Sequence, residues 1–285
     1  MKLETSNGYP TESALLNENV ILKTLQKHDF IQKYMSIFHD YGFLYIVLKK
    51  YDFSINNYRE HVWKENQIQF FSACIIQSLS YFRQEKLIHR DLHFGNLLFD
   101  SDKYINLIDF HITIEYKNKD NPKTYFLGAL WTCPPEMLRK STYYYNSDYY
   151  RLGSLIYYII FKSYKNKIVN PLVVKNYSYS CIDFMNKLLI VDPKKRIGYK
   201  DIEELKNHSF FKNFKWNDLI KRKIKSPLEE IYINNINSRE KPYKNIKKRN
   251  TTLLYKKKFL ETIDYYDNVN SEEITNIIKY LKKKS

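Results

Sequence analysis

Three side chains set the chemistry that this sequence could perform. Asp91 and Asn96 lie five residues apart in "HRDLHFGN", and Asp109 in "IDF" follows Asn96 by thirteen. A carboxylate, a carboxamide and a second carboxylate suit phosphoryl transfer, in which positioning and charge neutralisation do most of the work. One oxygen acceptor must orient the attacking hydroxyl, and hard oxygen ligands must hold Mg²⁺. Asp91 fits the first task, and Asn96 with Asp109 fits the second. His89 would brace the loop, and Arg90 could meet a phosphate on the segment that follows. Any one of these residues alone carries little, and a lone Asp-Phe carries nothing. Their order and spacing around a hairpin form the signal.

Regular elements must hold these residues in place. Residues 12–27 space Leu15, Leu16, Val20, Leu22 and Leu25 for an amphipathic helix. Two β-like runs, 34–40 and 43–50, turn at Tyr41-Gly42. Residues 66–86 read as a long buried helix, and "NLLFD" and "YINLIDF" bracket a short hairpin. Further helices are expected near 147–161 and at 180–190. Few strands first and mostly helices after predict an α+β fold: a small sheet-containing lobe, a larger helical lobe and a site in the cleft.

Composition narrows the setting. A chain of 285 residues with 44% hydrophobic content can bury one large core or two modest lobes. Cys74, Cys133 and Cys181 are far apart, which favours a reducing compartment over a disulfide frame or a zinc site. The first ten residues hold no apolar signal region, and the longest apolar run, 152–161, is too short to span a bilayer. A cytoplasmic or nuclear protein is expected. The net charge of +16 concentrates in residues 221–258, where thirteen Lys/Arg face three Glu, a net of +10. Either this is a solvated tail, or it meets an anionic partner. Nucleic acid is disfavoured because no recognition motif accompanies the charge.

The chain resembles the eukaryotic protein kinase family over residues 12–216. "PPE" at 134–136 stands at the family's APE position, and "NSDYYRLGSLIYYII" is similar to the helix whose aspartate, here Asp148, anchors the catalytic loop. "DPKKRIG" offers Arg196 as the buried partner of Glu136. Glu18 in "NENVIL" matches the helix C glutamate, Leu48 the gatekeeper, and residues 49–51, with Lys49 and Tyr51, the hinge that meets adenine. "VDPKKRIG" before "LKNHSFFKNFKW" is similar to the end of AGC-group domains, with a lean toward the phosphoinositide-dependent branch. The resemblance implies a bilobal kinase-like fold whose N-terminal β lobe is incomplete, and use of ATP and Mg²⁺ on a protein substrate. It divides the chain into a truncated N-lobe (1–50), a C-lobe (51–216) and a basic tail (217–285).

The pattern is broken in five places. Gly8 is the one glycine before Glu18, so the glycine-rich loop that covers nucleotide phosphates is missing. Lys2, sixteen residues before Glu18, is either the lysine of the family's Lys–Glu pair or an ordinary basic residue. The first alternative implies two strands upstream of Met1, lost or encoded elsewhere. His93 replaces the lysine that touches the transferred phosphate. His111 replaces the DFG glycine and its free hinge, and Ala129 replaces a threonine that contacts the catalytic aspartate. Asp148 to Arg196 spans only 48 residues, which leaves little room for the substrate-docking helix. Thr124 and Tyr125 stand where AGC kinases carry an activating phosphate, or form an ordinary surface "KTY". Two functions stay open: a serine/threonine protein kinase that retains base and metal ligands, or a pseudokinase that binds without turnover.

Overall fold

The computed structural model describes residues 12–40, 43–51, 53–117, 129–139, 143–164 and 168–238. The chain divides into two units, one holding residues 12–32 and 50–238 and the other residues 33–49 of the described chain.

In the larger unit, α1 (Glu12–Leu25) buries Ile21, Leu22 and Leu25. Val20, counted in the apolar stripe of the sequence, is 59% exposed instead. Successive helical residues are turned by about 100°, and the inward arc of α1 takes Ile21, Leu22 and Leu25 and leaves Val20 outside it. The smaller unit is an antiparallel hairpin, β1 (Tyr34–Asp40) with β2 (Phe43–Leu48), registered through Ile37 opposite Ile46.

α2 (Glu65–Gln84) is the axis of the larger unit. Gln67 reaches back to accept the N–H of Lys64 at 2.8 Å, satisfying a donor at the helix start. Phe70, Phe71, Ile75, Ile76 and Phe82 are all buried, so α2 is a core helix and not a one-faced surface helix. Two short ribbons follow. β3 (Leu87–Ile88) pairs with β6 (Ile114–Glu115), and β4 (Leu97–Phe99) pairs with β5 (Ile105–Leu107) through Leu97 opposite Leu107. This topology frames two loops, 89–96 between β3 and β4 and 108–113 between β5 and β6. Each loop enters and leaves through paired strands.

The helical remainder comprises α3 (Pro135–Leu138), α4 (Tyr145–Phe161), α5 (Tyr179–Leu188), α6 (Glu203–Lys206), α7 (Trp216–Ile220) and α8 (Glu229–Ser238). A Cβ on Gly153 would stand 2.8 Å from the Leu188 Cβ, so glycine is what lets α4 lie against α5. Arg196 grips Glu136 in a bidentate pair, Nη1 to Oε1 at 2.7 Å and Nη2 to Oε2 at 2.9 Å, with both residues buried. Removing one partner of such a dry pair typically costs about 3–5 kcal/mol. Phe184, His208, Phe210, Phe211 and Trp216 form one aromatic cluster at the end of the unit.

Two groupings concern α1 and residues 217–238. α1 belongs with the larger unit and not with the hairpin, because Asn17 donates to the Thr113 carbonyl at 3.0 Å and its apolar face is buried. Residues 217–238, assigned from sequence to the basic tail, are packed. Arg222 meets Asp100 at 2.6 Å, Tyr104 Oη donates to the Ile224 carbonyl at 2.7 Å, and Lys64 pairs with Glu230 at 2.7 Å. Buried Leu228 and Ile231 carry this stretch, a contribution that a charge count hides.

Candidate active site

Loop 89–96 is braced from below by α4. Asp148 accepts the backbone N–H groups of His89 at 2.8 Å and Arg90 at 3.0 Å. It is 2% exposed, and burial pushes its carboxyl up. His89 is fully buried, and burial pushes its pKa down. The neutral ring suits its contacts: Nδ1 accepts the Asp91 N–H at 3.1 Å and Nε2–H donates to the Ile108 carbonyl at 3.1 Å. One ring therefore couples the two loops. Arg90 lies in the left-handed region, φ +70°, with its guanidinium turned inward. It donates to the Ile112 carbonyl at 2.7 Å and stacks over the Tyr143 ring at 5.2 Å. The sequence offers Arg90 to a phosphate, but in this conformation burial and these partners hold it. Tyr143 itself reads from sequence as one of a tyrosine cluster and emerges as Arg90's platform.

Asp91 presents its carboxylate among three partners. Oδ1 accepts the Ala129 N–H at 2.8 Å, and Oδ2 accepts the Asn96 side-chain N–H at 3.3 Å and faces His93 Nε2 at 3.5 Å. Burial alone would raise this carboxyl, but the His93 ring and then the Ala129 N–H hold it well below the usual carboxylate range. An ionised Asp91 orients a hydroxyl better than it deprotonates one. His93 also caps the turn that follows, its Nδ1 accepting the Gly95 N–H at 3.0 Å.

Asn96 gives its amide N–H groups to Asp91, to the backbone carbonyl at 3.0 Å and to the carboxylate. Its amide oxygen is left as a donor atom for a cation. Asp109 sits at φ +67°, and its Oδ1 accepts the His111 Nδ1–H. Burial would raise the Asp109 carboxyl, and the His111 contact more than offsets it, so the carboxyl stays ionised below its ordinary range. Two oxygen donors, with one Asp109 oxygen outside the His111 contact, fit Mg²⁺, which keeps waters and takes its remaining ligands from phosphates. Among the described residues, no group of three or more His, Cys, Asp or Glu forms an all-protein cage. Glu18 Oε1 accepts the Phe110 N–H at 3.3 Å, and burial, then the charge of Asp109, raises its carboxyl.

The other residues named from sequence are dispersed. Tyr51 is buried and its hydroxyl donates to Asn106 Oδ1 at 3.4 Å, so its side chain serves the core. Leu48 ends β2, and the Lys49 N–H donates to the Lys33 carbonyl at 2.9 Å, both within the smaller unit. Lys2, Thr124 and Tyr125 lie outside the described residues. Two contributors escape sequence reading altogether: the Ala129 N–H, because backbone has no residue signature, and Arg151, a fully buried arginine on α4.

Known proteins are similar to this chain in sequence. The sequence profile of the family described as "Protein kinase domain" matches residues 2–211. Serine/threonine-protein kinase Sgk1 of Rattus norvegicus is 32% identical over 232 residues, 76% of this chain and 54% of that protein. Serine/threonine-protein kinase sgk-1 of Caenorhabditis elegans is 30% identical over 230 residues, 75% of this chain and 49% of that one. Serine/threonine-protein kinase N2 of Danio rerio is 30% identical over 193 residues, 63% and 19% respectively. The chain spans about half the length of the Sgk1-type relatives. On the matched span and the shared motifs, the chain belongs to the eukaryotic protein kinase domain family and is AGC-like within it.

Proposed function

We propose that this chain transfers the γ-phosphoryl group of ATP to a serine or threonine hydroxyl of a protein. The carrying observation is the convergence of Asp91 and Asn96, joined through a side-chain hydrogen bond, with Asp109 on a loop that His89 ties to theirs. Asp91 Oδ2 accepts the hydroxyl's hydrogen bond and aims its oxygen at phosphorus, taking the proton as the new O–P bond forms and the bond from γ-phosphorus to the bridging oxygen breaks, with ADP leaving. Asn96 Oδ1 and Asp109 hold Mg²⁺, which supplies charge neutralisation at the phosphate oxygens. His93 Nε2–H faces the same space and can donate to the transferred group. Asp148 and His89 keep the loop fixed, so little reorganisation is needed at the moment of transfer. Nucleotide contacts fall by resemblance to Lys2, Leu48, Lys49 and Tyr51, and regulation to phosphate on Thr124 or Tyr125.

The serine/threonine preference leans on the names of the Sgk1-type and N2 relatives. Three free, buried cysteines agree with a cytoplasmic or nuclear setting, and no described helix is long and apolar enough to cross a membrane. Beyond residue 238, the remaining basic segment is left to an anionic partner. The test is ATP-dependent phosphate transfer to a basic serine peptide by the purified chain. Activity that survives Asp91→Asn would remove this mechanism.

One observation favours a second reading, a pseudokinase that binds without turnover. His111 holds the Asp109 carboxylate that Mg²⁺ needs. Thermal stabilisation by Mg·ATP, but not by ATP with a chelator, would reject that reading's metal-blind form.

A further inference from the structure

Arg151 is fully buried on α4, yet no carboxylate lies within ion-pair distance among the described residues, and its Nε has no hydrogen-bond partner. The comparison inside the molecule is Arg196, equally buried but paired with Glu136 and bonded to the Ile190 and Asn146 carbonyls. The charge of Asp148, and more weakly that of Asp91, favours this guanidinium without a direct ion pair. Burial without direct pairing is still costly, and an apolar side chain of similar volume would fill the same space more cheaply. Its contacts show what the charge does instead. Nη1 donates to the Thr132 hydroxyl at 2.7 Å and to the Ala129 carbonyl at 3.2 Å. The Thr132 hydroxyl passes its own proton to the Leu92 carbonyl at 3.1 Å. The residue gripped by its carbonyl, Ala129, is the one whose N–H holds Asp91 Oδ1 at 2.8 Å.

Resting on the phosphotransfer reading above, we propose that Arg151 is a positioning residue for Asp91, acting through Thr132 and Ala129. The relay ties three segments together: α4 through Arg151, residues 129–132 through Thr132 and Ala129, and the catalytic loop through the Leu92 carbonyl and the Asp91 carboxylate. Ala129 has no side-chain hydroxyl with which to hold Asp91, so the backbone N–H carries that contact. A backbone donor is only as well placed as its peptide plane. Arg151 fixes the next plane, the one that carries the Ala129 carbonyl, and the two planes meet at the Ala129 Cα, so holding the carbonyl restricts the torsions that aim the N–H.

The test uses the full chain and the conservative variants Thr132→Val and Thr132→Ser, with Arg151→Met beside them. Two readings are taken: steady-state transfer to a basic serine peptide, and hydrogen exchange at the Ala129 amide relative to the α5 amides. In T132V the Ala129 amide loses protection while α5 keeps it. Its kcat falls on the order of a hundredfold, as small misplacement of a reacting group does, with the KM for ATP unchanged. T132S restores both. R151M reproduces T132V, and the double variant is no worse than the poorer single, because the residues act as a unit. If R151M does not fold, the T132V and T132S pair decides alone. Wild-type protection at Ala129 in T132V, or a rise in the KM for ATP that accounts for the whole loss, overturns the proposal. A wild-type chain without transfer sinks the kinase reading instead, and the exchange at Ala129 still decides whether Thr132 and Arg151 place this amide.

Discussion

The two loops of the site carry the same short pattern, Asp-x-His, and use it differently. In loop 89–96 the pattern is Asp91-Leu92-His93, and in loop 108–113 it is Asp109-Phe110-His111. His93 has extended backbone, its Nδ1 is committed to the Gly95 N–H, and Nε2 stands 3.5 Å from Asp91. Asp109 has left-handed backbone, φ +67°, which swings its carboxylate directly onto the His111 Nδ1–H. The first histidine is a neighbour of its aspartate and the second is a ligand of it. Asp91 Oδ2 is held only loosely, by Asn96 at 3.3 Å and opposite His93 at 3.5 Å, whereas Asp109 has one oxygen taken by His111 and one outside that contact. Equal spacing in sequence does not give equal chemistry when the backbone angles differ.

The largest expected effect tests the first loop. D91N removes the ionised oxygen that orients the hydroxyl and turns one of its two acceptor positions into an N–H donor facing Ala129 or Asn96. Phosphate transfer should fall on the order of a thousandfold, with Mg·ATP still raising the Tm. A smaller loss of activity would mean that Asp91 is scenery. Next in size is H111G, which releases Asp109 and returns a free hinge. Charge-assisted hydrogen bonds are worth about 1.5–3 kcal/mol, so the apparent Mg²⁺ affinity should rise on the order of tenfold. A Mg²⁺ titration of the Mg·ATP thermal shift reads it, and an unchanged midpoint would break the distinction between neighbour and ligand.

A subtler variant probes His93. A Cβ on Gly95 would meet His93 Cε1 at 2.7 Å and Nδ1 at 2.9 Å, so G95A evicts the ring from its cap. Transfer should fall roughly fivefold, about 1 kcal/mol of transition-state stabilisation, and H93A should match it. The double change should cost no more than H93A alone. Additive losses would show that Gly95 matters for some reason other than room for the ring.

Much of this was legible before any coordinates. The spacing of Asp91, Asn96 and Asp109 around a hairpin marks one constellation, and in the structure Asp148 accepts the His89 N–H while Arg196 pairs with Glu136. Periodicity marks α2 and α4 because both are long and almost wholly apolar on several faces. It misplaces Val20, since neighbouring β-branched residues, Val20 and Ile21, satisfy a helical stripe nearly equally well. Charge density at 221–258 says nothing of packing, and Arg222, Tyr104 and Leu228 tie the start of that stretch to the body. The Ala129 N–H and the direction of the Arg90 guanidinium depend on backbone torsions, which residue type does not encode.

A third aspartate–histidine contact lies away from both loops and provides the baseline for them. His208 Nδ1 accepts the Phe210 N–H at 3.1 Å, so its Nε2–H donates to Asp183 Oδ2 at 3.0 Å. Burial, then the Lys187 charge, pushes its pKa below 6.5, more than Asp183 raises it. The folded state therefore binds fewer protons than the unfolded state as pH falls through this range. Its contribution to stability is complete above about pH 6.5 and is lost as pH falls toward the folded pKa. Protonation also removes the Nδ1 lone pair that caps Phe210. The Tm between pH 7.5 and 5.5 should drop by a few degrees more in the wild type than in H208Q, about the shift that 1 kcal/mol makes in a domain of this size. Parallel pH slopes would mean that this histidine contact is electrostatically silent, and that the contrast between His93 and His111 has no structural baseline to be measured against.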